Sequence, residues 1–284
     1  MAWVYIAGLM AISFAAARLM LPQIMGMLTE AGFVKPNYRK EEIPLGVGMV
    51  FFFSAVIVLT GAAVVGWPNR SVYAFLFAVG GMCFFGLIDD VFGTRHATGL
   101  KGHFKKLLLE KELTTGALKA LAGGVIAILV SLQTGDGTGF DRWIFLLLNS
   151  LIIAFSTNAV NLLDLRPGRA AKGFLLTGVF ITVAGYFCNP GLSREYTAYL
   201  AVIAGSLLAY LPADLKARAM MGDTGSNVLG AAVGFTAVFT LSIPFKAGFL
   251  LFLLGFHLLT EKYSLTKIIE ENKVLTYIDM IGRK

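Results

Sequence analysis

At 284 residues, 57% of them hydrophobic and only 14% charged, the chain is too apolar for a soluble domain, in which about 25% of residues carry charge. Its mean hydropathy of +0.74 and formal net charge of +7 describe a basic polytopic membrane protein, with the basic excess read as membrane topology rather than as a nucleic-acid surface. The length accommodates roughly nine or ten spans of about 20 residues with short loops, which leaves no room for a large soluble domain.

Nine apolar runs follow one another at about 2–21, 44–67, 71–89, 116–133, 143–162, 173–188, 196–212, 224–241 and 245–260. The first has no basic flank before it and no small-residue cleavage site after it, so it reads as a retained span and not as a removed signal peptide. Cys83 and Cys188 fall inside apolar runs and read as small buried hydrophobes, without metal-ligand spacing or a disulfide framework. The expected fold class is all-α: a polytopic transmembrane helical bundle of nine to ten spans. Residues 1–260 are expected to form the membrane domain, with any catalytic site in it, and 261–284 a cytoplasmic amphipathic tail. The stretch from Gly99 to Leu113 is also amphipathic, and either segment suits the membrane interface.

The connections alternate in charge. Twenty of the 24 Lys and Arg residues fall on one set, including Lys35, Arg39 and Lys40, Lys105 and Lys106, Arg166, Arg169 and Lys172, and the tail; the other set holds only Arg70, Arg142, Arg194 and Lys246. Short loops rich in Lys and Arg stay in the cytoplasm, which puts the N-terminus outside. Asp89, Asp90, Asp164, Asp214 and Asp223 then share the cytoplasmic side, whereas the outside keeps only Asp136, Asp141 and Glu195. Carboxylates at the edge of a bilayer are costly and usually face a protein-lined site.

Three motifs carry the chemistry. Asp89 and Asp90 end an apolar span; two adjacent carboxylates repel by roughly 3 kcal/mol at about 5 Å and an effective dielectric of about 20, so a cation or donors must compensate, or one becomes a base. Two solvated residues at a helix end are the alternative. Asn158, Asn161 and Asp164 recur three residues apart and form a polar stripe on an apolar helix, suited to a nucleobase, sugar or phosphate; interhelical hydrogen bonding is the alternative. In Met221-Gly222-Asp223-Thr224-Gly225-Ser226, the glycines allow close backbone approach, and the acid either caps the following helix or holds Mg²⁺, a hard cation that shares oxygen ligands with substrate phosphates. Lys105, Lys106 and Arg166 lie on the same face and can neutralise phosphate oxygens, or serve topology alone. His96, His103 and His257 show no paired ligand spacing.

On Gly86-Leu87-Ile88-Asp89-Asp90, Gly99-Leu100 followed by Lys105, Asn158-Ala159-Val160-Asn161-Leu162-Leu163-Asp164 and Met221-Gly222-Asp223-Thr224-Gly225-Ser226, the chain resembles the polyprenyl-phosphate N-acetylhexosamine-1-phosphate transferases, the family of the phospho-MurNAc-pentapeptide translocase and the GlcNAc-1-phosphate transferases. The resemblance implies transfer of a sugar-1-phosphate from a UDP-sugar to a polyprenyl phosphate, with release of UMP, in the bacterial plasma membrane. It implies Mg²⁺ as cofactor with Asp223 as its ligand, Asp89 and Asp90 as the family's acidic pair, Asn161 and Asp164 in the nucleotide-sugar pocket and Lys105 on a phosphate. Joined to the reading of the residues themselves, the expected site has Asp89, Asp90, Asp164 and Asp223 as catalytic acids, Asp223 and Asp89 at the metal, and Asn158, Asn161, Lys105, Lys106 and Arg166 as substrate contacts. The partners implied are the lipid, the nucleotide sugar, the membrane and a second copy in a homodimer, with no nucleic acid. The chain departs from the family where Asp-Gly-x-Asp-Gly is usual: Asp164-Leu165-Arg166-Pro167-Gly168 stands there, and no histidine follows His257. A catalytically degenerate homologue acting as a lipid- or nucleotide-binding scaffold is the second reading. A secondary transporter is the third, disfavoured because transporters place ionisable groups near the midplane and repeat their halves.

Overall fold

A computed structural model describes residues 2–66, 69–93 and 114–283. Lys105, Lys106, His96 and His103, and the amphipathic stretch from Gly99 to Leu113, lie outside the described residues.

Among the described residues the chain is helical apart from one small hairpin. In chain order, α1 is Ala2–Glu30, β1 is Val34–Pro36, β2 is Glu42–Pro44, α2 is Met49–Val64, α3 is Asn69–Phe92, α4 is Thr115–Ser131 and α5 is Asp141–Leu163. Then come α6 (Arg169–Cys188), α7 (Pro190–Leu215), α8 (Gly222–Thr240), α9 (Ile243–Lys262), α10 (Leu265–Glu271) and α11 (Lys273–Met280). The strands pair antiparallel with Lys35 opposite Ile43, an addition to the all-α expectation. The first helix is longer than expected from its apolar run and continues to Glu30.

Among the described residues six helices, α1, α3, α5, α6, α7 and α9, are long and apolar enough to cross a membrane, against nine spans read from the sequence. The other three have different reasons. Met49–Val64 and Thr115–Ser131 are apolar but shorter. Helix α8 is enclosed: it packs on α2, α3, α5, α6 and α7, and every residue from Thr224 to Val238 is buried. A helix that meets protein on all sides is not required to be lipid-apolar, so it carries glycine, threonine and asparagine where its neighbours carry leucine.

Close approach to α8 is what positions the chemistry. A Cβ on Gly86 of α3 would lie 2.4 Å from the carbonyl oxygen of Asp223, so only glycine lets α3 bring its terminal acids against the start of α8. Local signals set the other helix starts. Thr114 caps α4 by accepting from the N–H of Ala117 at 3.2 Å, and Asn189 caps α7 with Pro190 in its first turn.

Contacts between loops sort the bundle into two ends. At one end the hairpin meets the loop before α8: Asn37 donates to the Ala217 carbonyl at 3.0 Å, and the Met220 N–H donates to the Pro44 carbonyl at 2.9 Å. At the other, buried Lys246 pairs with Asp136, which also accepts from Asn149, and Ser71 donates to Glu195. Each element of the second set comes from the charge-poor connections.

Candidate active site

The first end gathers the acids. Asp90, buried at the end of α3, accepts from the N–H of Asp223 at 3.0 Å, from the N–H of Thr224 at 2.9 Å and from the Thr224 hydroxyl at 2.6 Å. It is an N-cap supplied from another helix: its carboxylate satisfies the free N–H groups at the start of α8 and sits at the positive end of that helix dipole. Gly222, at φ +68°, makes the turn beneath it, and a Cβ there would come within 2.3 Å of the Asp90 carboxylate. Lys35 donates to the Asp90 backbone carbonyl at 3.0 Å, so the hairpin clamps the same corner.

Asp89 points elsewhere. Its Oδ2 pairs with the Lys119 ammonium at 2.7 Å, and the same ammonium pairs with Asp223. Asn161 donates to Asp223 at 2.9 Å and lies 3.4 Å from the Asn227 side-chain oxygen. Helices α3, α4, α5 and α8 thus each aim one polar group at a common point. The Nδ2 of Asn227 is buried there without a hydrogen-bond partner among the described residues, an unused donor beside the cluster.

Asp164 follows α5 directly and is half-buried. Burial, joined by the charges of Asp214, Asp223 and Asp90, pushes its carboxyl well above the ordinary carboxylate value. The loop that carries it is fastened by Asp214, which accepts from the Gly168 N–H at 2.7 Å.

The structure therefore brings Asp89, Asp90, Asn161 and Asp223 into one cluster and leaves Asp164 at its edge. Asn158, one turn deeper, is engaged by His257 of α9: their side-chain nitrogens lie 2.9 Å apart, and His257 Nδ1 is 2.8 Å from the Leu253 carbonyl oxygen. That arrangement requires the neutral ring with its proton on Nδ1 and its Nε2 accepting from Asn158. Arg166 stacks on Tyr38 with its guanidinium carbon 5.4 Å from the ring centroid. Two site residues escaped the sequence reading. Lys119 passed as a topological charge, and Asn227 sits inside an apolar run; the one available signal was their spacing, Lys119 five residues after its cap at Thr114 and Asn227 four after Asp223.

The donor set bears on a metal. Among the described residues, no group of three or more His, Cys, Asp or Glu is placed to hold an ion. Two carboxylates do converge on one cation, the Lys119 ammonium. Mg²⁺ is typically held by one or two carboxylates, with substrate phosphates and water completing the shell, so Asp89 and Asp223 fit that ion and a dedicated protein cage is not required.

Residues 72–241 match the model of glycosyl transferase family 4. The chain belongs to that family. Among relatives, it is 29% identical over 242 residues to the phospho-N-acetylmuramoyl-pentapeptide-transferase of Acetivibrio thermocellus, covering 80% of this chain and 71% of that one. It is 29% identical over 238 residues to the protein of the same name from Clostridium perfringens, at 80% and 73% coverage. It is 31% identical over 220 residues to that of Moorella thermoacetica, at 71% and 64% coverage. The family match runs from the start of α3 to the end of α8 and so includes every residue of the acid cluster.

Proposed function

We propose that this member of glycosyl transferase family 4 transfers a sugar-1-phosphate from a UDP-sugar to a polyprenyl phosphate, giving polyprenyl-diphospho-sugar and UMP, at the cytoplasmic face of a bacterial plasma membrane. The observation that carries the reading is the convergence of Asp89, Asp223, Asn161 and Lys119, from four helices, at the bundle end that also holds the Arg- and Lys-rich loops. The relatives' name supports it, since their reaction is a pentapeptide-sugar phosphate transfer by that name.

In this reaction an oxygen of the lipid phosphate forms a bond to the sugar-bearing phosphorus. The bond from that phosphorus to the bridging oxygen breaks, and the oxygen leaves with UMP. Both reactants are anions, so charge neutralisation and alignment are the main demands. A phosphate monoester has a second pKa of about 6, so the attacking lipid needs orientation more than it needs a base. Lys119 supplies positive charge at the meeting point, Asn161 holds Asp223 in place, and Asn227 Nδ2 supplies a neutral amide donor for a phosphate or sugar oxygen. Asp90 fixes the start of α8 and with it the direction of Asp223. Asp89 and Asp223 would hold Mg²⁺, which would supply Lewis-acid charge neutralisation when bound. The site lies at the ends of helices, where a lipid arrives from the bilayer and a nucleotide from the aqueous side.

The test is purified protein with polyprenyl phosphate, Mg²⁺ and a panel of UDP-sugars, reading released UMP. Turnover with at least one sugar is expected, and Asp223→Asn should lower it by about 10²-fold or more, as for loss of a charge-stabilising group at a reacting centre. UMP release that is undiminished in Asp223→Asn and Asp89→Asn removes the metal-site assignment. The scaffold reading draws on Pro167 and Arg166 standing in the loop; nucleotide binding by the wild type without any UMP release would select it.

A further inference from the structure

Beside the acid cluster, the loop of residues 164–168 and the C-terminal helices enclose a cavity of roughly 280 Å³ lined by Tyr38, Arg166, Pro167, Arg169, Glu270, Asp279 and Arg283, among others, so that three arginines face two carboxylates. Its charges are unequally committed. Asp279 takes two hydrogen bonds from Arg169, both at 3.0 Å, and two from Arg283, at 3.0 and 2.9 Å. Arg283 also donates to the Pro167 carbonyl at 2.8 Å, and Lys172 to the carbonyls of Ile278 and Asp279. These bonds strap α11 and the residues after it to the start of α6 and the loop, and they commit N–H groups of Arg169 and Arg283, although the one carboxylate offsets only one of the two positive charges.

Arg166 is different. Its guanidinium lies on the face of Tyr38, and Arg39 lies on the same ring at 5.2 Å. Attraction to the ring holds the guanidinium without spending its N–H groups on a hydrogen bond. No carboxylate among the described residues pairs with it. A planar fork held over a ring in a partly enclosed cavity is prepared for an oxyanion. The volume lies just below the range of about 300–1,000 Å³ for sites that enclose a whole small molecule, so it suits one group of a larger ligand.

We propose that this cavity is a subsite for a compact anionic group of the soluble substrate, a carboxylate or a phosphate, received by Arg166 and walled by the strapped C-terminal helices. The proposal rests on the transferase reading for the identity of that substrate. A carboxylate would come from the sugar or a substituent on it; a phosphate would come from the nucleotide. Arg166 is two residues from Asp164, so the subsite adjoins the acid cluster without being part of it.

The experiment measures binding and turnover separately in detergent-purified protein, comparing UDP-glucuronate, UDP-glucose and UDP with wild type, Arg166→Gln and Arg166→Lys. Arg166→Gln is expected to weaken binding by about tenfold or more, the usual scale for a hydrogen bond to a charged group. Arg166→Lys should recover only part of this, because an ammonium lacks the fork. A loss confined to UDP-glucuronate assigns the subsite to a sugar carboxylate. An equal loss across all three assigns it to phosphate. Unchanged affinity in every arm overturns the proposal, and if the wild type still releases UMP the transferase reading survives that failure. Binding that depends on Arg166 in a protein that releases no UMP would keep the subsite and remove the transferase.

Discussion

Neighbouring aspartates on a helix point about 100° apart, and at the end of α3 this angle divides the labour. Asp90 turns inward and caps α8, while Asp89 turns to Lys119. The ammonium therefore stands between two half-buried carboxylates that would otherwise repel each other. Lys119→Met should leave Asp89 and Asp223 without their cation and lower the thermal midpoint in metal-free detergent by several degrees. If these acids hold Mg²⁺, adding the ion should restore the variant more than it raises the wild type, because a ligand that binds only the folded state stabilises it. The check is a melting series at constant ionic strength with Mg²⁺ replaced by Na⁺; equal responses in both proteins would detach the acids from any metal role. The acids themselves were readable in sequence, because charge at the edge of an apolar run is conspicuous. Lys119 was not, since its partners lie 30 and 104 residues away and only helix packing brings them to it.

At the scale of the element, α11 shows how little a local pattern says about docking. Its apolar and charged residues read as an interfacial tail, yet its Asp279 pairs with Arg169 at the start of α6, 110 residues away. Such a pairing has no signature in either segment alone. Burial opposes ionisation of Asp279, but hydrogen bonds and charge from Arg169 and Arg283 outweigh it and hold the carboxyl below its ordinary value. The sign follows: a depressed folded pKa contributes stability that is fully present above the unfolded value of about 3.9 and is lost as pH falls through the folded one. The strap should stay closed from neutral pH to about pH 4 and open only below it, read as amide exchange across 273–280. Asp279→Ala should open it at pH 7 and raise KM for the UDP-sugar while leaving the lipid KM unchanged. Exchange that is the same in wild type and Asp279→Ala at pH 7 would show that α11 is held by its apolar contacts alone. The hairpin is a comparable case. Three-residue strands are below what periodicity can mark, and Lys35 and Asn37 gain their meaning only from Asp90 and Ala217.

For the whole molecule, sequence and structure share an argument about sidedness. The charge pattern sorted the connections into a rich set and a poor set, and contacts in the structure sort the same connections into the same two ends: Pro44 with Met220 and Gly168 with Asp214 at one, Asp136 with Lys246 and Ser71 with Glu195 at the other. The agreement has a physical basis, since positive charge resists translocation while a site for phosphates gathers cations for its own reasons, and both put Lys and Arg at one end. Span number was harder to read, because hydropathy measures contact with lipid and α8 has almost none: its glycines and polar residues face protein. Charge is what points the cation-rich end toward the cytoplasm. Single cysteines introduced at Thr138 and at Ser264, in a background with Cys83 and Cys188 replaced by alanine, test that orientation. Thr138→Cys should react with an impermeant maleimide added to intact cells, and Ser264→Cys only after the membrane is opened. The reverse pattern would put the acid cluster outside, away from cytoplasmic nucleotide sugars, and the transfer proposed here would have no donor.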